Sequence, residues 1–484
     1  MSALATLKQP RAFYLIFFIE LWERFGYYGM QALIVLFFVK HLGYSDTHAD
    51  NLFAAFSALV YLLPAAGGYV GDHLLGTKRT IILGTVILII GYSALAIPGV
   101  DDINIPLAII AVGVGLFKAN PSSLLSKIYE GDEAKIDGGF TLYYMAVNLG
   151  SFFSMALTPV FSAIYGWHFA FAICAIGLVL ALIFYIAMRH TVDEFGSRPD
   201  FLSFNMRIFL YVIAIVIALT ALCSWLLMHY KFSGWLILIG GVIIFGVFIY
   251  EILKTKGQER KSLILCLVLM FQAIVFFVLY FQMPTSINLF TLRNIQHSLI
   301  GLPIEPASFQ SLNPFWIIVL SPLLAMLYSK LAYHDKDLSM PSKFTLGTLL
   351  TGLGFLSIPL GAMITNHPQG IMSAGWLVLF YFLECLGELL VSALGLAMVS
   401  RFVPQRLMGF TMGAWFLCTS IAGIIAGKVA SLASVPRNIT DPLKTLPIYI
   451  HLFLEIGLIT VAVSILMAFF VPLLKRLSHD VGGD

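Results

Sequence analysis

Long apolar runs, broken at short intervals by polar loops, leave few folds open to this chain. Read against their flanks, the runs give spans near residues 12–40, 48–75, 79–97, 105–128, 139–164, 168–189, 206–228, 233–254, 262–293, 310–333, 343–365, 372–402, 406–433 and 447–474. Crossing a hydrocarbon core of about 30 Å takes about 20 apolar residues in a helix. No water is available at that depth for an unpaired backbone group, so runs of this length read as membrane helices. The 484 residues are 60% hydrophobic and 11% charged, against about 25% charged in an ordinary soluble domain. The expected fold class is an all-α integral membrane protein with 14 transmembrane helices, and a soluble fold is excluded.

The spans group as six, two and six. That pattern predicts an N-terminal six-helix bundle over residues 1–190, a linker with two extra transmembrane helices over 191–260, and a C-terminal six-helix bundle over 261–484. Two six-helix halves are what a transporter built from repeats presents, with its substrate site near the midplane between them. Orientation follows from the basic residues of the loops. With the N-terminus inside, 20 of the 28 Lys and Arg residues fall on the cytoplasmic side, namely Lys8, Arg11, Lys78, Arg79, Lys127, Lys135, Arg189, Arg198, Arg207, Lys254, Lys256, Arg260, Lys261, Lys330, Lys336, Lys343, Arg401, Arg406, Lys475 and Arg476. The outside keeps Lys40, Lys231, Arg293, Lys428, Arg437 and Lys444. Both termini are therefore expected in the cytoplasm, with the loop near 296–307 outside. The basic start "MSALATLKQPR" leads into a long charged helix and is expected to remain uncleaved.

The net charge of +3 does not suggest nucleic acid as a partner. Cys174, Cys223, Cys266, Cys385 and Cys418 all lie inside apolar runs without C-x-x-C or zinc spacing, so they read as packing residues and no metal or other cofactor is expected.

The charges inside the spans carry the chemistry. On the first helix Glu20, Glu23, Arg24, Tyr27, Tyr28 and Gln31 fall at i, i+3, i+4, i+7, i+8 and i+11, one face at 3.6 residues per turn. Glu20 and Arg24 have the spacing of an ion pair, whereas Glu23 adjoins Arg24 and is expected to point partly away from it. Glu23 then wants a second cation, and Lys118 in "VGVGLFKANPSSLL" is the other one at depth. A static lock between helices would explain an ion pair but not so many polar groups. Glu384 and Glu388 add two carboxylates, so the central acids outnumber the bases. Burial of unpaired carboxylates favours protonation, which makes such a group a natural coupling site. Glu455 would enlarge the excess. Thr141, Tyr144, Asn148 and Ser151 share another face, and Asn148 offers a donor and an acceptor suited to a backbone amide. Polar glue between helices is the bland reading of Asn148.

The loop "GGYVGDHLLGTKRT" joins the second and third spans. Gly67, Gly68 and Gly71 permit close helix approach, and Asp72 with Lys78 and Arg79 is placed for a charge latch. Gly68, Asp72, Gly76 and Lys78 read G-x-x-x-D-x-x-x-G-x-K, one residue longer than the G-x-x-x-D-x-x-G-x-[RK] signature, and the loop resembles that of the major facilitator superfamily. "ELWERFGYYG" is similar to the E-x-x-E-R-F-x-Y-Y-G motif of proton-dependent oligopeptide transporters, and "FTLYYMAVNLGSFF" to that family's second signature. "GLFKANPSSLL", "QMPTSINLF", "LNPFWII" and "GELLVSALGLAMV" resemble its fourth, seventh, eighth and tenth helices.

The resemblance, which runs over essentially the whole chain, implies import of dipeptides and tripeptides driven by protons on a major facilitator fold in the bacterial inner membrane. It implies proton coupling at Glu20, Glu23, Arg24 and Lys118. It implies Lys118 near the peptide carboxylate, Glu388 at the peptide N-terminus and Asn148 on the peptide backbone, with Tyr27, Tyr28, Tyr61, Tyr144, Phe276, Gln282, Asn313 and Trp415 as further pocket residues. Two departures stand out. Gln31 replaces an Arg that many members carry, and Tyr280 and Phe281 precede Gln282 where many have acidic residues. The bilayer, peptides and protons are the expected partners, with the single chain as the functional unit. A major facilitator symporter for nitrate, an amino acid or a peptide-like compound is the alternative. H-E-x-x-H and G-x-S-x-G motifs are missing, so an enzyme is not expected.

Overall fold

A computed structural model of the chain describes residues 9–99, 102–131, 133–334, 338–365, 367, 369–403 and 405–481. The stretch before Gln9, expected to be uncleaved, lies outside the described residues. Thirteen described helices are long and apolar enough to cross a membrane. Arg11–Leu36, continued by Phe37–His41, stands apart from them because Glu20, Glu23 and Arg24 interrupt its apolar run. With it, the fourteen expected spans are all present. All five cysteines are free and buried.

The helices are not uniform rods. Asp46–Leu62 gives way to Pro64–Tyr69, where Pro64 lacks the N–H a continuing helix needs, and then to one wide turn at Val70–Leu74. Asn104–Lys118 breaks at Ala119 before Pro121. Another wide turn, Met283–Ile287, holds Pro284. Such breaks survive at membrane depth only where neighbouring groups satisfy the freed backbone. Outside the helices, Ser298–Leu299 pairs with Leu302–Pro303 in a small antiparallel hairpin that replaces the plain loop expected there. Its two turn residues, Ile300 and Gly301, have φ of 53° and 77°. That is the mirror-image turn a two-residue hairpin loop requires, and Ile-Gly does not announce it in a sequence.

The chain forms two compact units, Met1–Ile34 with Leu59–Tyr230 and Val35–Ala58 with Lys231–Asp484. In the first, Thr77–Ala96 packs on Asn104–Lys118 and Trp167–Met188, and the inserted helix Met206–Met228 packs on Asn104–Lys118. In the second, Met340–Ile364 packs on Ala374–Phe402 and Pro442–Val481. Gly347 and Gly387 meet at the first of these crossings, where a Cβ on Gly347 would press on the Gly387 carbonyl. The inserted helix Tyr230–Lys254 lies against Gln405–Ala430, with Gly241 facing Ile421.

Candidate functional site

In the first unit Glu20, Glu23 and Arg24 are 2%, 0% and 5% exposed. Arg24 Nε donates to Glu20 Oε1 at 2.9 Å, as their spacing predicts. Glu23 does not point away: its Oε2 lies 2.8 Å from the same nitrogen. Neighbouring residues leave a helix about 100° apart, but both side chains are long enough to fold back along the guanidinium stem. One N–H cannot serve both carboxylates. Both Glu23 oxygens and Glu20 Oε2 are buried without a hydrogen bond. The helix Glu133–Tyr165 approaches closely here, because a Cβ on Gly150 would press on the Leu21 carbonyl. It brings Tyr143 into the field of Glu20. The sequence reading missed Tyr143, which is off the face shared by Thr141, Tyr144 and Asn148.

Lys118 makes no ion pair with Glu23 within 4.0 Å. Its Nζ sits 4.0 Å from the centre of the Tyr61 ring, a cation on an aromatic face. The charges of Glu20, Glu23 and Arg24 still act on it. Lys118 is therefore tied to the triplet by field rather than by contact. Tyr27 is buried and meets Tyr28 edge to face at 5.3 Å. Asn148 donates to the Tyr144 carbonyl one turn away at 2.8 Å, while the Tyr144 side chain is 39% exposed. Gln31 is buried in the same unit.

In the second unit Asn313, on Leu312–Tyr333, reaches two carboxylates of Ala374–Phe402. Its Nδ2 donates to Glu384 Oε2 at 3.0 Å and to Glu388 Oε2 at 2.7 Å. Glu384 is fully buried and Glu388 is 7% exposed. Gln282 is spent on the fold: its Nε2 donates to the carbonyls of Val278 and Ala426, and its Oε1 accepts from Ser286. Phe276 is buried against Phe277 and Tyr280, and Trp415 meets Phe277 edge to face. Glu455 is not part of this cluster, since it is half exposed and lies 3.2 Å from His451.

The loop signature is structural in a way its spacing hides. Asp72 pairs with Lys127 at 3.6 Å rather than with Lys78 or Arg79, which corrects the expected latch. Lys78 Nζ instead donates to the carbonyls of Val192 and Asp193, and Arg79 donates to those of Pro199 and Leu202. Gly76 has φ of 100° and caps the helix Thr77–Ala96 without a side chain. The missing cap comes from elsewhere: Ser197 Oγ accepts from the Thr77 N–H and Asp200 from the Lys78 N–H. A carboxylate also suits the positive end of a helix. Of the three glycines expected to allow close approach, Gly67 and Gly71 do so against Gly115 and Asn120, whereas Gly68 has only ordinary contact with Ala119.

A third polar group escaped the sequence reading. Arg293 grips buried Asp46 through two nitrogens at 2.6 and 2.9 Å and also donates to Tyr449, while the Val435 N–H donates to Asp46. Asp50, one turn further along, is buried with Oδ1 unbonded. A charge at each of two helix ends 247 residues apart carries no local pattern.

A family model described as the POT family matches residues 78–447. Dipeptide and tripeptide permease A of Pectobacterium carotovorum subsp. carotovorum (strain PC1) is 50% identical over 479 residues, covering 99% of this chain and 94% of the relative. Dipeptide and tripeptide permease A of Escherichia coli (strain K12) is 48% identical over 487 residues, covering 100% and 96%. Among solved structures, tetrameric PepTSo2 matches with a TM-score of 0.87 at 39% identity over 96% of this chain and 99% of that one. The peptide transporter POT in complex with sulfate matches with a TM-score of 0.82 at 28% identity over 97% and 96%. The same all-α membrane fold and end-to-end relatedness give one assignment: this chain belongs to the POT family of transporters.

Proposed function

We infer that the protein is a proton-coupled symporter that imports dipeptides and tripeptides by alternating access. The observation that carries this reading is identity near one half, from end to end, with dipeptide and tripeptide permeases. The site geometry supports it. Glu20, Glu23 and Arg24 place two buried carboxylates on one guanidinium nitrogen, so the arrangement is short of positive charge and has room for a proton. Glu388 offers an anion for a peptide ammonium, Lys118 a cation for a peptide carboxylate, and Asn148 an amide for its backbone. Protons are the coupling ion and no cofactor takes part. Asp72, Gly76, Lys78 and Arg79 brace the loop after the second span, and the clamp on residues 192–202 ties that loop to the chain beyond the sixth span.

Proteoliposomes with an inward proton gradient are expected to accumulate a labelled dipeptide, and excess unlabelled dipeptide should compete where free amino acids and nitrate do not. Accumulation of a free amino acid in preference to the dipeptide would overturn the substrate assignment.

The multi-pass chain is placed in the bacterial inner membrane with both termini cytoplasmic and the 298–303 hairpin outside. The single chain is taken as the transport unit, although PepTSo2 is a tetramer in its crystals. A cysteine introduced at Ser298 should react with an impermeant thiol reagent in intact cells. Labelling confined to inverted vesicles would reverse the topology.

A further inference from the structure

We propose that Glu384 is a positioning residue held as a neutral carboxylic acid, whose resident proton leaves Glu388 as the single negative charge of the second unit's buried cluster. The proposal deepens the reading that Glu388 receives the substrate ammonium, and rests on it.

The geometry points there in three steps. Asn313 has one amide nitrogen with two hydrogens, and both are spent, one on each carboxyl group, at 3.0 and 2.7 Å. Two carboxyl groups within hydrogen-bond reach of one nitrogen are too close to be ionised together without a cation between them. None is present among the described residues: neither carboxyl group has a Lys, Arg or His nitrogen within 4.0 Å, and the polar side chain that reaches both is the neutral amide of Asn313. Its own helix adds Tyr381 and Cys385, both buried and neither positive. One proton must therefore reside on the pair.

The structure also says which carboxyl keeps it. Glu384 is 0% exposed and its Oε1 is sealed in without a hydrogen-bond partner. Glu388 is 7% exposed and has the shorter bond to Asn313. Charge is better tolerated on the group with the stronger donor and some access to water. The proton accordingly belongs to Glu384. The consequence is a match of one negative charge to one arriving ammonium. A pair ionised twice would hold any cation too firmly to release it, and a pair protonated twice would attract none. A protonated Glu384 also keeps an oxygen to accept from Asn313, so the amide that orients Glu388 stays in place.

The test uses the purified full-length protein. A glutamine has the shape of a protonated glutamate, so Glu384→Gln should bind an unblocked dipeptide within a few-fold of wild type. Its infrared spectrum should lack one carbonyl band of a buried protonated carboxylic acid that the wild type shows. Should Glu384→Gln not fold, Glu384→Asp serves, and the band should then shift. Loss of affinity in Glu384→Gln as large as that of Glu388→Gln, or an unchanged carboxylic-acid band in either Glu384 variant, would overturn the proposal. Failure of the underlying reading looks different: Glu388→Gln would weaken N-acetylated and unblocked peptides alike, while the band at Glu384 would still decide where the proton sits.

Discussion

Glu23→Gln is expected to abolish uphill peptide uptake while leaving counterflow exchange partly intact. Glu23 and Glu20 compete for one Nε–H of Arg24, and Glu20 holds the hydrogen bond. Glu23 is left at 0% exposure with both oxygens unbonded. A charge at membrane depth costs about 2.5 to 3.5 kcal/mol even on insertion scales, and a proton on Glu23 removes that cost. Deprotonation returns a second anion to the guanidinium. The site therefore has two electrostatic arrangements that differ by one proton, which is what coupling to a gradient requires. Glutamine fits the same space and imitates the protonated arrangement, but it cannot give its proton up. Net transport, which needs proton release inside, should stop, and no peptide should accumulate against or along the gradient. Exchange of one peptide for another moves no net proton and should survive. Undiminished accumulation by the variant would remove Glu23 from the coupling step.

What the sequence made legible was local. The spans, their number and the polar stripe on the first helix follow from bilayer thickness and helical period, and all are in place. The Glu20–Arg24 pair followed from i,i+4 spacing. The direction of Glu23 did not, because a period places a Cβ and says nothing of how a long side chain folds afterwards. Partners across the chain were hidden for another reason. Asp72 finds Lys127, Thr77 finds Ser197 and Asp46 finds Arg293, and each pair is set by which helices pack together. The nearby Lys78 and Arg79 were the obvious partners for Asp72 by sequence, yet the carbonyls of residues 192–202 claim them. Glycines show the same split: Gly67 and Gly71 are legible as small, but only packing tells that Gly115 and Asn120 require them to be small while Gly68 is spared.

The second unit bears on why peptides are the cargo, and Glu388→Gln is the variant that tests it. A peptide of two or three residues carries one ammonium, and Glu388 is the partly accessible carboxyl of a cluster whose hydrogen-bond donor is a neutral amide. An arriving ammonium would be the cation this cluster lacks. Removing one partner of a desolvated, hydrogen-bonded charge pair costs about 2 to 5 kcal/mol, so affinity for peptides with a free N-terminus should fall about 30-fold or more. N-acetylated peptides have already lost the charge that Glu388 would pair, so their weaker binding should hardly change. Glutamine keeps the volume and can still accept from Asn313, so the fold around Leu312–Tyr333 and Ala374–Phe402 has no reason to loosen. The measurement is competition for uptake by a matched series of free and acetylated dipeptides, in wild type and variant. A loss confined to free peptides assigns the N-terminal contact to Glu388. An equal loss for both would mean that Glu388 acts through protonation or packing, and the peptide would then have to be turned round or its ammonium placed elsewhere.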